Sequence, residues 1–321
     1  MAQGLLSHLA ISPQNSFGTI TTSYRHVPII SESLAVANAI LDEGNLRARL
    51  GEAGNIQGLQ TVAGDIQMQP HMVEIGHFLY GLTNQDSTSV TATSLTQHLF
   101  YPATALFDDY APLKPYTLQV HRNSALAWQL QDCIVNRLEF NISQGQLLTV
   151  TAGIIGRVSS LVAAGTPSFR APNSLWTFNQ ASISLGGAAN ADFESLIVNV
   201  ERQVEAVPTL DGKRWASRFA LTGPYMVRVS GTMDFRVQSV YADFDAFTRR
   251  VFQAAVISMV TSGPNIIIDV PQLLFESFDA PVSGPGRVKA NFTARGEFDS
   301  SSNYAVQFTL INSIANAYST P

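Results

Sequence analysis

Leu138-Glu139-Phe140-Asn141-Ile142-Ser143, a turn at Gly145, then Leu148 through Gly156: along this stretch apolar and polar residues take turns. Leu138, Phe140 and Ile142 fall on one side, and Glu139, Asn141 and Ser143 on the other. After the turn Leu148, Val150, Ala152 and Ile154 alternate with more polar neighbours. A period of two means half-buried antiparallel strands. The same block returns late in the chain. A strand over 273–278 leads into Ser283-Gly284-Pro285-Gly286, after which Val288, Ala290, Phe292 and Ala294 alternate with Lys289, Asn291, Thr293 and Arg295, closing on Gly296. Aligned on Gly156 and Gly296, the core positions share one register.

Working outward, each block has a similar lead-in. A strand over 64–68 precedes a helical stretch over 71–82, whose apolar stripe is Met72, Ile75, Leu79 and Leu82. Val227, Val229, Gly231, Met233, Phe235 and Val237 alternate with polar residues, and a helix follows with Tyr241, Phe244, Phe247 and Val251 on one side. Both halves therefore read as strands, one helix, then further strands, which suggests an internal duplication. The expected domains are 1–187 and 188–321, joined near Gly186-Gly187. The first carries an N-terminal arm over 1–30, with one strand near 18–24, and an inserted loop over 83–114. A helix is expected over 33–51, and strands over 59–68, 115–122, 134–143, 147–156 and 176–185, with a loop over 160–173. In the second, Leu196, Val198 and Val200 mark a strand, Asp211-Gly212 a turn, and 304–310 the last strand. The fold class expected is mainly β with flanking helices (α+β): two tandem β-barrel or sandwich domains, each with a helix against it.

Composition narrows the function. The chain has 321 residues, enough for two substantial cores. It is 45% hydrophobic but only 13% charged, as suits either a surface hidden in an assembly or a β-protein faced with Thr, Ser, Gln and Asn. A formal charge of −5 with no basic run argues against a nucleic-acid-binding groove. The single cysteine, Cys133, excludes an intramolecular disulfide and reads as a buried, inert thiol at a strand start. No secretory signal or membrane-spanning segment is expected, so the protein is expected to be made and folded in a cytoplasm. The triplets beginning at Asn141 and Asn291 match the glycosylation pattern but lie within expected strands.

No catalytic constellation emerges. His71, Glu74 and His77 resemble a metal cluster, but histidines six apart on a helix do not share a face, and zinc helices need i and i+4. Two partly exposed helix histidines are expected instead. Asp108-Asp109 lacks the further oxygen ligands of a calcium loop. Gly284-Pro285-Gly286 is a turn, because proline removes a donor that a phosphate cradle would use. Asp211, Gly212, Lys213 and Arg214 form a charged hairpin tip, free or in a subunit contact. No Gly-x-Ser-x-Gly, Walker loop or dinucleotide fingerprint is present. The sequence thus names no catalytic, cofactor-binding or metal-ligating residue, implies no cofactor, and points to structural work.

The run from Cys133 through Leu138, Phe140 and Gly145 to Arg157 resembles the signature of bacteriophage tail tube proteins, as does its lead-in Pro115-Tyr116-Thr117-Leu118-Gln119-Val120. The segments Ala63-Gly64-Asp65-Ile66, 193–208 and Asp211-Gly212-Lys213 are similar in kind, so the resemblance covers roughly 55–250. It implies a β-barrel or sandwich with a flanking helix, copies that form rings, and rings that stack into a hollow tail conducting DNA. The partners implied are other copies of the chain, the tape measure, the tail terminator and the baseplate or tip, with DNA passing unbound through the lumen. The place implied is the virion tail, with assembly in the host cytoplasm. Six fold units per ring make a tandem chain a trimer with pseudo-sixfold symmetry, whereas an outer decoration would require six chains. The alternative from a different class is a carbohydrate- or receptor-binding β-sandwich module of a virion.

Overall fold

The computed structural model describes residues 4–42, 54–91, 95–102, 113–123, 125–169, 175–190, 192–235, 238–260, 265–282 and 284–318. The first part of the chain contains β1 (His8–Pro13), β2 (Arg25–Val27), β3 (Ser31–Glu32), β4 (Ala35–Asp42), β5 (Asn55–Met68), α1 (Ile75–Thr83), β6 (Ser87–Val90), β7 (Thr96–Phe100), β8 (Tyr116–His121), β9 (Leu126–Ser143), β10 (Thr149–Gly156) and β11 (Val158–Ala163). Then come β12 (Ala181–Leu185), β13 (Ala188–Asn190), β14 (Phe193–Val207), β15 (Arg218–Asp234), α2 (Gln238–Arg249), β16 (Gln253–Val260), β17 (Asn265–Asp279), β18 (Lys289–Glu297) and β19 (Gln307–Asn312).

Two long strands organise everything else. The first half of β9 lies between β8 and β11, and its second half between β10 and β14. Asp132, at φ +56, sits where the strand passes from one layer to the other. Its carboxylate accepts from the Gly18 backbone N–H at 2.7 Å and meets Arg157 at 3.4 Å, which holds a residue that favours other backbone regions in the left-handed one. Likewise, the first half of β17 lies between β16 and β19, and its second half pairs with β18.

The two sets of pairings coincide residue by residue. Moving Gly156 onto Gly296 is a shift of 140 (296 − 156), and it carries Ala152↔Leu138 onto Phe292↔Phe278. The bulge that skips Asn136 opposite β10 falls on the bulge that skips Glu276 opposite β18. A second bulge, between Tyr116↔Cys133 and Leu118↔Leu130, matches the one between Gln253↔Leu273 and Ala255↔Val270. β5 pairs with β10 as β15 does with β18, and β1 joins β2 to β8 as β12 joins β13 to β16. Even the interrupted strand β3–β4 runs along β5 as β14 runs along β15: Val36 faces Val62, and Val200 faces Val227. The β6–β7 hairpin belongs to the first set alone.

Gly156 and Gly296 hold matching places because no side chain fits there. A Cβ on Gly156 would meet Cys133 Sγ at 2.8 Å, and one on Gly296 would meet Val227 and Val270 at 2.9 Å. The main apolar core runs through both sets, from Leu9 and Val62 to Phe292 and Leu310, and a smaller cluster forms around Leu113, Ile134 and Phe219.

Several expectations need correction. Among the described residues the strand network is open: each pairing adds a strand and none returns to one already reached, so no barrel closes. The helix expected over 33–51 is extended backbone in its described part. Leu34, Ala37, Ile40 and Leu41 have helical spacing, but the main chain pairs with β5 through seven residue pairs; residues 43–50 lie outside the described residues. Residues 8–13 are a fully buried strand, not an irregular arm, and 18–24 contains no strand. Within the expected loop 83–114, β6 and β7 form a hairpin that docks on β19, so this segment is built into the sheet; 103–112 lie outside the described residues. The expected loop 160–173 begins as β11, and β16 has no counterpart among the expected strands. Strand β7 and strand β12 both pair with strands beyond residue 188.

Candidate assembly surfaces and a buried histidine cluster

The residues singled out by sequence do not converge. His71 precedes α1, while Glu74 and His77 are buried, His77 with its ring edge-on to Tyr318 at 4.9 Å. His77 is therefore not the partly exposed helix histidine that the spacing suggests, because α1 is buried along its whole length. Cys133 lies within β9 rather than at its start, and burial pushes its thiol far above the ordinary range, with Asp132 adding to the effect. Asp108-Asp109 lies outside the described residues. At the β14–β15 turn the Asp211 carboxylate is held below the usual range, first by the Ser217 hydroxyl and then by the Lys213 backbone N–H. This turn leans back on β5, where Trp215 bridges Gln60 and Arg214 reaches the Gln57 side chain.

What the fold leaves open is strand edge. An edge exposes a row of unpaired N–H and C=O groups, a template for another strand. Among the described residues β4 has β5 on one side only, and its ribbon is exposed on both faces, with Ile40, Leu41 and Ile56 in solvent, Ile56 at 71%. β11 ends the outer layer with Leu161 60% exposed, and β6 ends another with Val90 81% exposed. Over 274–279, β17 has β18 on one side and no strand on the other among the described residues. Under the shift of 140 the last three residues of that edge, 277–279, correspond to 137–139 of β9, where β14 is paired. Exposed apolar side chains on unpaired edges mark surfaces shaped for association.

A third feature is invisible in the sequence. His8 on β1 stands directly opposite His121 on β8, and His26 on β2 stands opposite Ala10, diagonal to His8 on the same face. The His8 and His121 rings stack at 4.1 Å, and His26 lies 5.2 Å from His8 and 6.0 Å from His121. Phe169 presents its ring against His8 and His26. Burial, then the neighbouring histidines, lowers the His121 pKa to about 4, and burial with His8 lowers that of His26. Among the described residues these three form the group whose ring nitrogens come close enough for a shared ion.

Comparison with protein families settles the broad identity. The family model described as phage tail tube protein matches residues 4–296. The chain belongs to that family. No curated protein matches it at a significant level. Membership makes the chain a structural tail tube protein, a component of the virion tail that assembles into a tube with other tail parts. No described helix is long and apolar enough to cross a membrane.

Proposed function

We propose that copies of this chain close edge to edge into rings, three chains to a ring, and that the rings stack into a hollow conduit for DNA delivery into the host. The observation that carries this reading is the seam between β9 and β14. There Ser195–Glu201 of the second set extends the sheet of the first, from Ser195↔Ser143 to Glu201↔Arg137. The matching elements at the other ends of the chain, β3–β4 and 277–279 of β17, have no strand on their outer side among the described residues. Translating the seam onto them pairs Val36 with Phe278, Ala35 with Asp279 and Ala37 with Ser277 of the next copy. Each ring then has two alternating seams, one within a chain and one between chains, and six fold units from three chains. Both seams bury strand edges, and repetition around the ring closes a barrel that no single chain closes.

The matched registers and bulges support a tandem duplication, since bulges are specific built features of a sheet. The units we assign are β1 to β11 and β12 to β19, with the join in the connection between β11 and β12, just upstream of Gly186-Gly187. Three copies carry 3 × −5 = −15 formal charges. A lumen without a basic stripe lets DNA slide, because the counterion release that drives phosphate binding is missing. At the ends of the tube the reading calls for the tape measure, the terminator and the baseplate or tip. Rotational averaging of end-on tube images tests the stoichiometry: threefold symmetry with a sixfold pseudo-repeat is expected, and true sixfold symmetry with twice the ring mass overturns it.

A further inference from the structure

We propose that His8, His26 and His121 form a binding site for a divalent transition metal of the zinc type, with three imidazole ligands and a fourth position open. The cluster is a set of buried donors with too few partners. His121 is 1% exposed and neither of its ring nitrogens makes a hydrogen bond. His8 is 6% exposed; its Nδ1 lies 3.2 Å from the Leu6 carbonyl oxygen and its Nε2 has no partner. His26 Nδ1 is also buried without one. Buried polar groups are nearly always satisfied, and leaving one bare is unfavourable. Four such nitrogens on three neighbouring rings need an explanation. A cation ligated by lone pairs supplies it.

The local chemistry agrees. Ligating imidazoles must be neutral, and three rings packed together away from water disfavour protonation. A metal-bound histidine typically donates its other ring N–H to a carbonyl or carboxylate, which fixes the tautomer. His8 is set up in that way: Nδ1–H donates to Leu6, which leaves Nε2 as the ligand atom. One ring nitrogen of each histidine lies within 4.8 Å of those of the other two. Tetrahedral zinc with Zn–N near 2.0–2.1 Å sets nitrogens ~3.4 Å apart, a closing of about 1.4 Å at most. His26, the least buried of the three, rotates to make it, and the His8 and His121 rings, stacked 12° from parallel, must turn apart so that both in-plane lone pairs meet the ion.

The second set of strands provides the internal control. The positions equivalent to His8, His121 and His26 are Ser182, Ser258 and Ala189, from the pairing of β12 with β16 and β13. The same three-strand arrangement folds there around small side chains, so the architecture does not require imidazoles. Their presence in one set alone marks an added property. Bound metal would clip the three-residue strand β2 to β1 and β8, joining positions far apart in the chain.

The test uses the full-length protein, stripped with chelator and then titrated with zinc or cobalt alone. The expected result is one metal per chain, a tetrahedral cobalt visible spectrum, and zinc-dependent protection against unfolding. At a free zinc concentration a hundredfold above the dissociation constant, the apparent folding constant rises about 100-fold. His121→Ser and His26→Ala, which install the second set's residues, should fold and lose all three signals. Should a variant fail to fold, cobalt spectra and zinc-dependent stability of the unaltered chain still decide. Sub-stoichiometric metal with no cobalt spectrum and no zinc-dependent shift overturns the proposal, whatever the ring symmetry proves to be.

Discussion

Replacing Ala35 and Asp279 by cysteine in the same chain would turn the proposed seam between copies into a covalent one. Within the chain, Asn199 stands opposite Glu139. The shift of 164 that carries Val200 onto Val36 (200 − 36) takes Asn199 to Ala35, and the shift of 140 takes Glu139 to Asp279. Directly opposed residues of antiparallel strands have Cα atoms about 4.5–5.5 Å apart, inside the roughly 4.4–6.8 Å that a disulfide spans. Moving one partner two residues along adds about 6.8 Å along the strand. The separation becomes about 8 Å, out of reach, so Ala35→Cys with Ser277→Cys is the matched control. All three positions are exposed, and the native Cys133 is buried with its thiol raised, so background cross-linking is low. Assembled tubes would be oxidised and run on a non-reducing denaturing gel. Bands at dimer and closed trimer, and nothing larger, are expected from the first pair and none from the control. A ladder reaching six chains would refute the stoichiometry. Intact tubes with no cross-link would refute the edge pairing itself.

Three further outcomes follow from the packing. Gly296→Ala puts a methyl against Val227 and Val270 and should destabilise the chain by about 1–3 kcal/mol in chemical denaturation. Asp86→Ala removes an acceptor shared by His98 Nδ1 at 3.1 Å and the Tyr318 backbone N–H at 2.7 Å, with His98 and Asp86 fully buried, and should cost about 3 kcal/mol on the same measurement. Burial, reinforced by Asp86, raises the Tyr80 pKa to about 12, and burial with the Asp269 hydrogen bond does the same for Tyr304. Unfolded tyrosines ionise near pH 10, so between pH 10 and 12 the unfolded state holds fewer protons and stability falls as pH rises. Ultraviolet titration should show both groups ionising late, with Tyr304→Phe removing one of them; two ordinary titrations near pH 10 would contradict the packing.

Strands with one wet face and one dry face are the parts of the fold that the sequence announces. β10, β14 and β18 alternate because each is half-buried, and the alternation alone aligns the two blocks on Gly156 and Gly296. β1 is buried on both faces and β4 is exposed on nearly all of its length, so neither alternates, and the spacing of Leu34, Ala37, Ile40 and Leu41 gives β4 the look of a helix. β11 escapes notice for the same reason. The histidine cluster has no sequence signal at all: His8, His26 and His121 come from three strands, and only the pairing of β1 with β2 and β8 brings them to one face. The open edges are equally hidden, because an edge is a property of neighbours and not of residues.

The β9–β14 seam is formed within one chain, and this changes what limits growth. Its two strands are tethered, so they meet at an effective concentration on the order of millimolar however dilute the protein is. That pairing is part of folding and is complete in every copy. In the proposed ring, polymerisation then has a concentration threshold set by the untethered edges alone, β3–β4 and the end of β17. Substitutions over 195–201 should register as lost solubility of the single chain, whereas substitutions over 31–37 should leave a soluble chain whose threshold for growth has moved.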